Sequence, residues 1–243
     1  MTRDNQGKYT AGVDGVKTPE DREKADNFRK HLLEKVDVRK PPSPIRRVFI
    51  PKPNGKKRPL GILTIMDRVI QDILRQAIKP IAEYHFLDCS YGFRPKRSCH
   101  DAIEHIFSKT ANRNCCQWLI EGDIKGCFDA ISHSAIIQTM EAWKIPKAIR
   151  TMTRRMLSAG IVSDEGYTES ITGTPQGGIL SPMLANIALT ALDEWGESRK
   201  GANPIVRYAD DFIGCDTKLH ELSEANAYKL VSELVPNLFG HCW

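Results

Sequence analysis

The chain has 243 residues, 41% of them hydrophobic and 27% charged, so it can bury a packed core, and a disordered chain is excluded. Its net charge of +5 is mild, so any affinity for anions rests on where the charges lie rather than on their sum. No window approaches the roughly 20 apolar residues of a membrane span, and the charged first thirty residues lack the apolar run of a signal peptide, so a cytoplasmic protein with no membrane partner is expected.

In chain order, "AGVDG" from Ala11 marks a turn, and a short helix follows Pro19. "KPPSP" from Lys40 reads as a stiff extended linker. Arg47 to Pro51 and Lys57 to Ile62 predict two strands, joined by a hairpin turn at Pro53 to Gly55. Ile70, Ile73, Leu74, Ala77 and Ile78 predict a helix from Met66 that Pro80 kinks or ends. A second helix is expected over Ala102 to Phe107, then a strand over Trp118 to Ile124 that carries Asp123 near its end. Lys144, Lys147, Arg150, Arg154 and Arg155 recur at near-helical spacing, as one basic face would. Two short strands flank a turn at Asp164 to Gly166. Ser181 is placed to cap a helix whose first residue is Pro182, with Leu184, Ile187, Ala188, Ala191 and Trp195 on its apolar face. A hairpin follows at Asp210, and a last amphipathic helix runs from Leu219 to Leu234. Helices and hairpins mixed without βαβ regularity argue an α+β fold.

"VRYADDFIG" sets two adjacent aspartates, Asp210 and Asp211, between apolar runs, and Asp123 closes another apolar strand. Like charges at a tight turn repel, and either solvent or a divalent metal must offset that. Oxygen ligands on rigid strands suit Mg²⁺, which takes a few carboxylates plus substrate phosphates. Two such ions can run an in-line displacement at phosphorus. Asp129 is expected to hydrogen-bond locally at the next turn. Phe128 suits a core position as well as a functional one.

From Val38 to Met66 no acidic residue occurs among Arg39, Lys40, Arg46, Arg47, Lys52, Lys56, Lys57 and Arg58. Such a hairpin is either an anion-binding surface or a solvated edge. "GTPQGGILSP" places glycines at 173, 177 and 178 before a helix N-terminus, which suits close approach to an anionic ligand, or simply a loop and a capped helix. The seven cysteines are odd in number and form no C-x-x-C pair, so they read as reduced and mostly buried, without a zinc site.

"GDIKGCFDAI", "GTPQGGILSPMLANIAL" and "RYADDF", in that order, resemble the palm motifs of reverse transcriptases. "IPKPNGKKRPLGI" and "DCSYGFRPKRSCHDAI" narrow the resemblance to those encoded by bacterial group II introns, over Tyr9 to Cys215. The resemblance implies a right-hand polymerase with an antiparallel palm sheet packed on helices. It assigns fingers to residues 1–78 and 131–166, palm to 79–130 and 167–220, and an atypical helix to 221–243. It implies metal-binding catalytic roles for Asp123, Asp210 and Asp211, with two Mg²⁺ for which Mn²⁺ can substitute. Lys52 and Arg58 resemble the residues that grip the triphosphate, with the backbone at Ile124 alongside it. Gln176 and Gly177 would lie near the nascent base pair, and Phe128 under the sugar. Arg46, Arg47, Lys56 and Lys57 are expected to bind RNA. Implied partners are intron RNA, an RNA template with a DNA primer, deoxynucleoside triphosphates and a second copy of the chain. The sequence after Cys215 does not resemble the strands and helical thumb with which the family continues. Thus a thumbless fragment is expected, one that binds structured RNA and extends primers poorly. The rival readings are a non-catalytic intron RNA-binding module and a CRISPR-associated reverse transcriptase.

Overall fold

The structure, a computed structural model, describes residues 10–51, 55, 57–111, 118–198 and 205–216. The basic hairpin forms as β1 (Ile45–Pro51) and β2 (Lys57–Ile62), paired antiparallel with Arg47 opposite Gly61 and Ile50 opposite Arg58. Lys52, Pro53, Asn54 and Lys56 lie outside the described residues, as does the helix expected over 219–234. The two short strands of the 160s form as β4 (Ile161–Ser163) and β5 (Gly166–Thr168). A pairing absent from the sequence reading joins these hairpins: β1 runs parallel to β4, giving a four-stranded sheet of order β2-β1-β4-β5.

A helical block carries the core. α1 (Arg22–Lys35) buries no residue, whereas α2 (Ile65–His85) buries Ile70, Leu74, Ile78 and Ala82. Pro80 does not end α2, which continues to His85. A proline inside a helix costs about 3 kcal/mol, and here the helix is held on both sides of it by Ile78 and Ala82, each 0% exposed. Thr64 caps α2 by accepting the Asp67 N–H, while the buried Asp67 carboxylate accepts from the Thr64 hydroxyl and the Ser43 N–H, fastening the proline-rich linker to the helix.

α3 (Cys99–Thr110) exceeds the expected 102–107 at both ends, and its earlier start follows from the capping box that Ser98 and Asp101 close. β3 (Trp118–Asp123) stops one residue short of the expected strand. Next come α4 (Cys127–Ala130), α5 (His133–Ala142) and α6 (Lys147–Leu157), the last bearing the basic run except Lys144, which lies in the left-handed region in the turn before it. Of that run, Arg150 pairs with Glu141, and Arg155 donates to the Arg39 carbonyl. α7 (Ser181–Ser198) is buried on more than one face, with Leu184, Ile187, Ala188, Leu189 and Leu192 all inside, and it packs against α2, α4 and α5.

β6 (Ile205–Tyr208) and β7 (Asp211–Asp216) form the expected hairpin around Asp210. With β3 they make a three-stranded antiparallel sheet of order β3-β7-β6, and α3 and α7 pack against it. Among the described residues Cys89 and Cys127 are buried and Cys99 is exposed, all as free thiols, and no helix is long and apolar enough to cross a membrane.

Candidate functional site

The acidic motif is assembled by sheet register. Asp123, the last residue of β3, stands opposite Asp211, the first residue of β7, and Tyr208 flanks Asp211 on the other side. Residues opposite each other in an antiparallel pair share a face, with Cβ atoms about 4.5–5.5 Å apart. Asp210 occupies the two-residue turn just before β7, and its carbonyl accepts from the Ile124 N–H at 3.2 Å. Three carboxylates from two distant segments thus lie at one end of the sheet. The Ile124 N–H is committed to the neighbouring turn.

The electrostatics there are unfavourable. Burial and then the charges of Asp210, Asp123 and Glu121 push the Asp211 carboxyl above the usual carboxylate range. No ion pair among the described residues reaches any of the three aspartates. Behind them the Cys127 thiol is pushed up to about 12, first by burial and then by Asp210 and Asp123, so it is an inert wall rather than a nucleophile. Nor do the described carboxylates form a ready three-ligand cage. This donor set fits a hard divalent cation that keeps much of its water and completes its shell with substrate phosphates.

A pH dependence follows. A raised folded-state pKa means that the folded chain binds more protons than the unfolded one, so Asp211 lowers stability as pH rises from the ordinary carboxylate value through its own. In metal-free buffer, Asp211→Asn is expected to raise the thermal midpoint at neutral pH and to have no effect below the carboxylate range. A thermal scan series across pH checks this, and an Asn gain that persists at low pH would contradict it.

The "GTPQGG" segment is stapled to α4 and the turn after it, to α5 and to β2, and the residues just after it to α2. Gly173 N–H bonds to the Ile131 carbonyl and Thr174 N–H to that of Phe128. Burial pushes the His133 imidazole down, and its neutral Nε2–H can donate to the Gly173 carbonyl at 2.7 Å. Leu180 N–H bonds to the buried Gln71 side chain of α2, and Gly61 N–H of β2 to the Gln176 carbonyl. Gly177 adopts φ 103, and a Cβ there would meet the Gly61 carbonyl at 2.8 Å, so this glycine makes room for the hairpin itself. Ser181 does not cap α7. It is the first helical residue, and its hydroxyl donates to the Pro175 carbonyl, closing the loop instead.

Gln176 links two further groups. Its Oε1 accepts from Arg58 Nε at 3.0 Å, and its Nε2 donates to Asp129 Oδ2 at 3.1 Å. Asp129 therefore does not serve a local turn, because the stapled loop brings Gln176 within reach. Phe128, half-buried on α4, stands edge-to-face with Phe93 at 6.1 Å between centroids. Phe93 is itself in the left-handed region at φ 60 and 56% exposed, an unusual conformation for a bulky residue, and its role was not legible in the sequence.

Strand alternation puts Arg46 and Arg58 on one face of the hairpin and Arg47 and Lys57 on the other. On the second face a cleft of about 450 Å³ opens between the hairpin and residues 168–175, lined by Arg47, Phe49, Pro59, Asp129, Ile171 and Thr174 among others. Phe49 and Ile171 are 54% and 77% exposed, giving the cleft apolar edges beside Arg47.

Beneath the acidic turn lies a network that the sequence reading missed. Arg207 is 0% exposed and pairs with Asp193, also 0% exposed. The available signal was a charge inside each of two apolar segments, β6 and α7. Removing one partner of such a pair costs roughly 3–5 kcal/mol.

The family described as "Reverse transcriptase (RNA-dependent DNA polymerase)" matches residues 50–233. The chain is 41% identical over 177 residues to the group II intron-encoded protein LtrA of Lactococcus lactis subsp. cremoris, an alignment covering 70% of this chain and 29% of that protein. It is 36% identical over 204 residues to protein YkfC of Escherichia coli (strain K12), covering 82% of this chain and 53% of that protein. The chain thus spans well under two thirds of the length of these relatives. Among solved structures, telomerase from Candida albicans in complex with a fragment of telomeric RNA superposes with a TM-score of 0.60 at 13% identity, over 90% of this chain and 46% of that one.

Proposed function

The chain belongs to the reverse transcriptase family, and from that premise we propose that it adds deoxynucleotides to a primer 3′-end on an RNA template, as the fingers and palm of a group II intron-encoded protein that also binds its intron RNA. The observation that carries this reading is the register that sets Asp123 opposite Asp211 beside the Asp210 turn. Reverse transcriptases use divalent metal ions, and Asp123, Asp210 and Asp211 would hold two Mg²⁺ here. Two bound ions supply activation of the primer hydroxyl and neutralisation of the leaving pyrophosphate. The primer oxygen bonds to the α-phosphorus, the bond to pyrophosphate breaks, and the hydroxyl proton leaves to solvent.

The chain's own residues would orient these groups. Arg58, with Lys52, grips the triphosphate, and Arg58 must exchange Gln176 for phosphate when a nucleotide arrives. Gln176 and Gly177 border the nascent base pair, and Phe128 supports the sugar. Asp129 fixes which way the Gln176 amide points. The hairpin's arginines and lysines contact the nucleic-acid backbone, and the exposed Phe49 ring offers a base a stacking surface. The pairing of β1 with β4 supports assigning residues 1–78 and 131–166 together to the fingers, with 79–130 and 167–220 as palm.

The test is addition of one deoxynucleotide to a labelled DNA primer on an RNA template, with Mg²⁺ and with chelator, alongside RNA binding measured across salt. Metal-dependent addition is expected. Salt-sensitive binding with no addition in Mg²⁺ or Mn²⁺ would instead identify an RNA-binding module. Each backbone contact contributes about 0.7–0.9 to the slope of log affinity against log salt. Replacing Arg46, Arg47 and Lys57 together by Gln should therefore flatten that slope by roughly 2–3. An unchanged slope would remove the hairpin from the RNA interface.

A further inference from the structure

None of the roles above uses Arg207, although all five of its guanidinium N–H donors are engaged. Nε and one Nη2 hydrogen go to the two Asp193 oxygens at 2.7 and 2.6 Å, and the other Nη2 hydrogen goes to Ser90 Oγ at 2.7 Å. Nη1 donates to Asn186 Oδ1 at 2.9 Å and to the Ala209 carbonyl at 2.8 Å. That carbonyl belongs to the peptide linking Ala209 to Asp210. We propose that Arg207 is a positioning residue for Asp210: by clamping the Ala209 carbonyl it fixes the peptide plane from which the Asp210 carboxylate projects. The inference rests on the reading of Asp210 as a metal ligand.

Ala209 sits in the left-handed region at φ 61 and is buried, so its carbonyl needs a partner inside the protein. Without Arg207 that carbonyl is orphaned, and rotation of the peptide plane carries Asp210 with it. The turn is closed from the other side by Gly92, where a Cβ would stand 2.3 Å from Ala209 N. Asn186 joins the two sides: its Oδ1 accepts from Arg207, and its Nδ2 donates to the Gly92 carbonyl at 2.8 Å. Backbone bonds from Arg207 N–H to Cys89 and from Tyr91 N–H to Arg207 complete the frame. Beyond the turn, the Asp210 carbonyl accepts from Ile124 N–H, next to Asp123. One planar, five-donor group therefore ties α7, the loop at 89–92 and the acidic turn together, and only arginine has that donor geometry. Apolar residues in place of a buried ion pair are often no less stable, which leaves geometric specification as what this pair supplies.

The test uses the 243-residue chain with Arg207→Lys and with the double variant Arg207→Met/Asp193→Leu. Lysine keeps a charge opposite Asp193 but cannot span the four partners, and the double variant removes both charges together. The readouts are the thermal midpoint, amide hydrogen exchange at Ile124 with the α7 amides as reference, and Mn²⁺ affinity by electron paramagnetic resonance with Asp210→Asn as control. The α7 amides should stay protected while exchange at Ile124 quickens by roughly tenfold or more, and Mn²⁺ affinity should fall roughly 10- to 100-fold, as when a group that orients a metal ligand is lost. Folded variants with wild-type protection at Ile124 and wild-type Mn²⁺ affinity would overturn the proposal. So would failure of both variants to fold, since the pair would then be a determinant of the fold. Wild-type Mn²⁺ binding that ignores Asp210→Asn would sink the metal reading instead, and exchange at Ile124 would still decide whether Arg207 holds the turn.

Discussion

Asp210→Asn is expected to lower single-nucleotide addition by roughly three orders of magnitude or more, the scale of losing one preorganised charge-stabilising element at a reacting centre. The substitution barely changes volume, and Asp210 sits at the turn, outside the register of the β3–β7 ladder, so the sheet should be kept. It also relieves repulsion, because Asp210 is among the charges that push the Asp211 carboxyl up. The metal-free variant should therefore be at least as stable as wild type while nearly inactive. Near-normal addition by a folded Asp210→Asn chain would remove this aspartate from the chemistry.

Phe128→Ala should raise use of ribonucleotides relative to deoxynucleotides by roughly 10- to 100-fold, the range that steric differences of this size command in a substrate pocket. The 2′-hydroxyl is the one feature of the nucleotide's sugar that separates RNA from DNA, and a ring under the sugar excludes it by collision. Phe128 is suited to that task because α4 is short and its ring is held from the side by Phe93 rather than sunk in the core. Incorporation ratios measured with matched ribo- and deoxynucleoside triphosphates check the expectation. Unchanged discrimination in a folded variant would make Phe128 a packing residue, in keeping with its contact with the main core cluster.

The sequence by itself determined the parts whose physics is local. The two strands of the basic hairpin, the buried Ile70, Leu74 and Ile78 of α2, the apolar face of α7 and the paired aspartates between apolar runs reappear as expected, because each depends on neighbours within a few residues, whereas Ile73 and Ala77 of the expected α2 stripe are exposed. The motif order also carried the family. Only the tertiary structure decided what depends on distant partners. Register set Asp123 opposite Asp211, 88 residues away in sequence by subtraction of their numbers. The parallel contact of β1 with β4 built the larger sheet from two hairpins. Pro80 stays helical because buried packing on both sides outweighs its local cost. Asp129 reaches Gln176 because a stapled loop folds back over it. Arg207 and Asp193 read in sequence as isolated charges in apolar segments, and only the crossing of β6 with α7 makes them one buried pair beneath the acidic turn. Burial and pairing are properties of surroundings that the chain assembles only on folding, which is why no local pattern announced them.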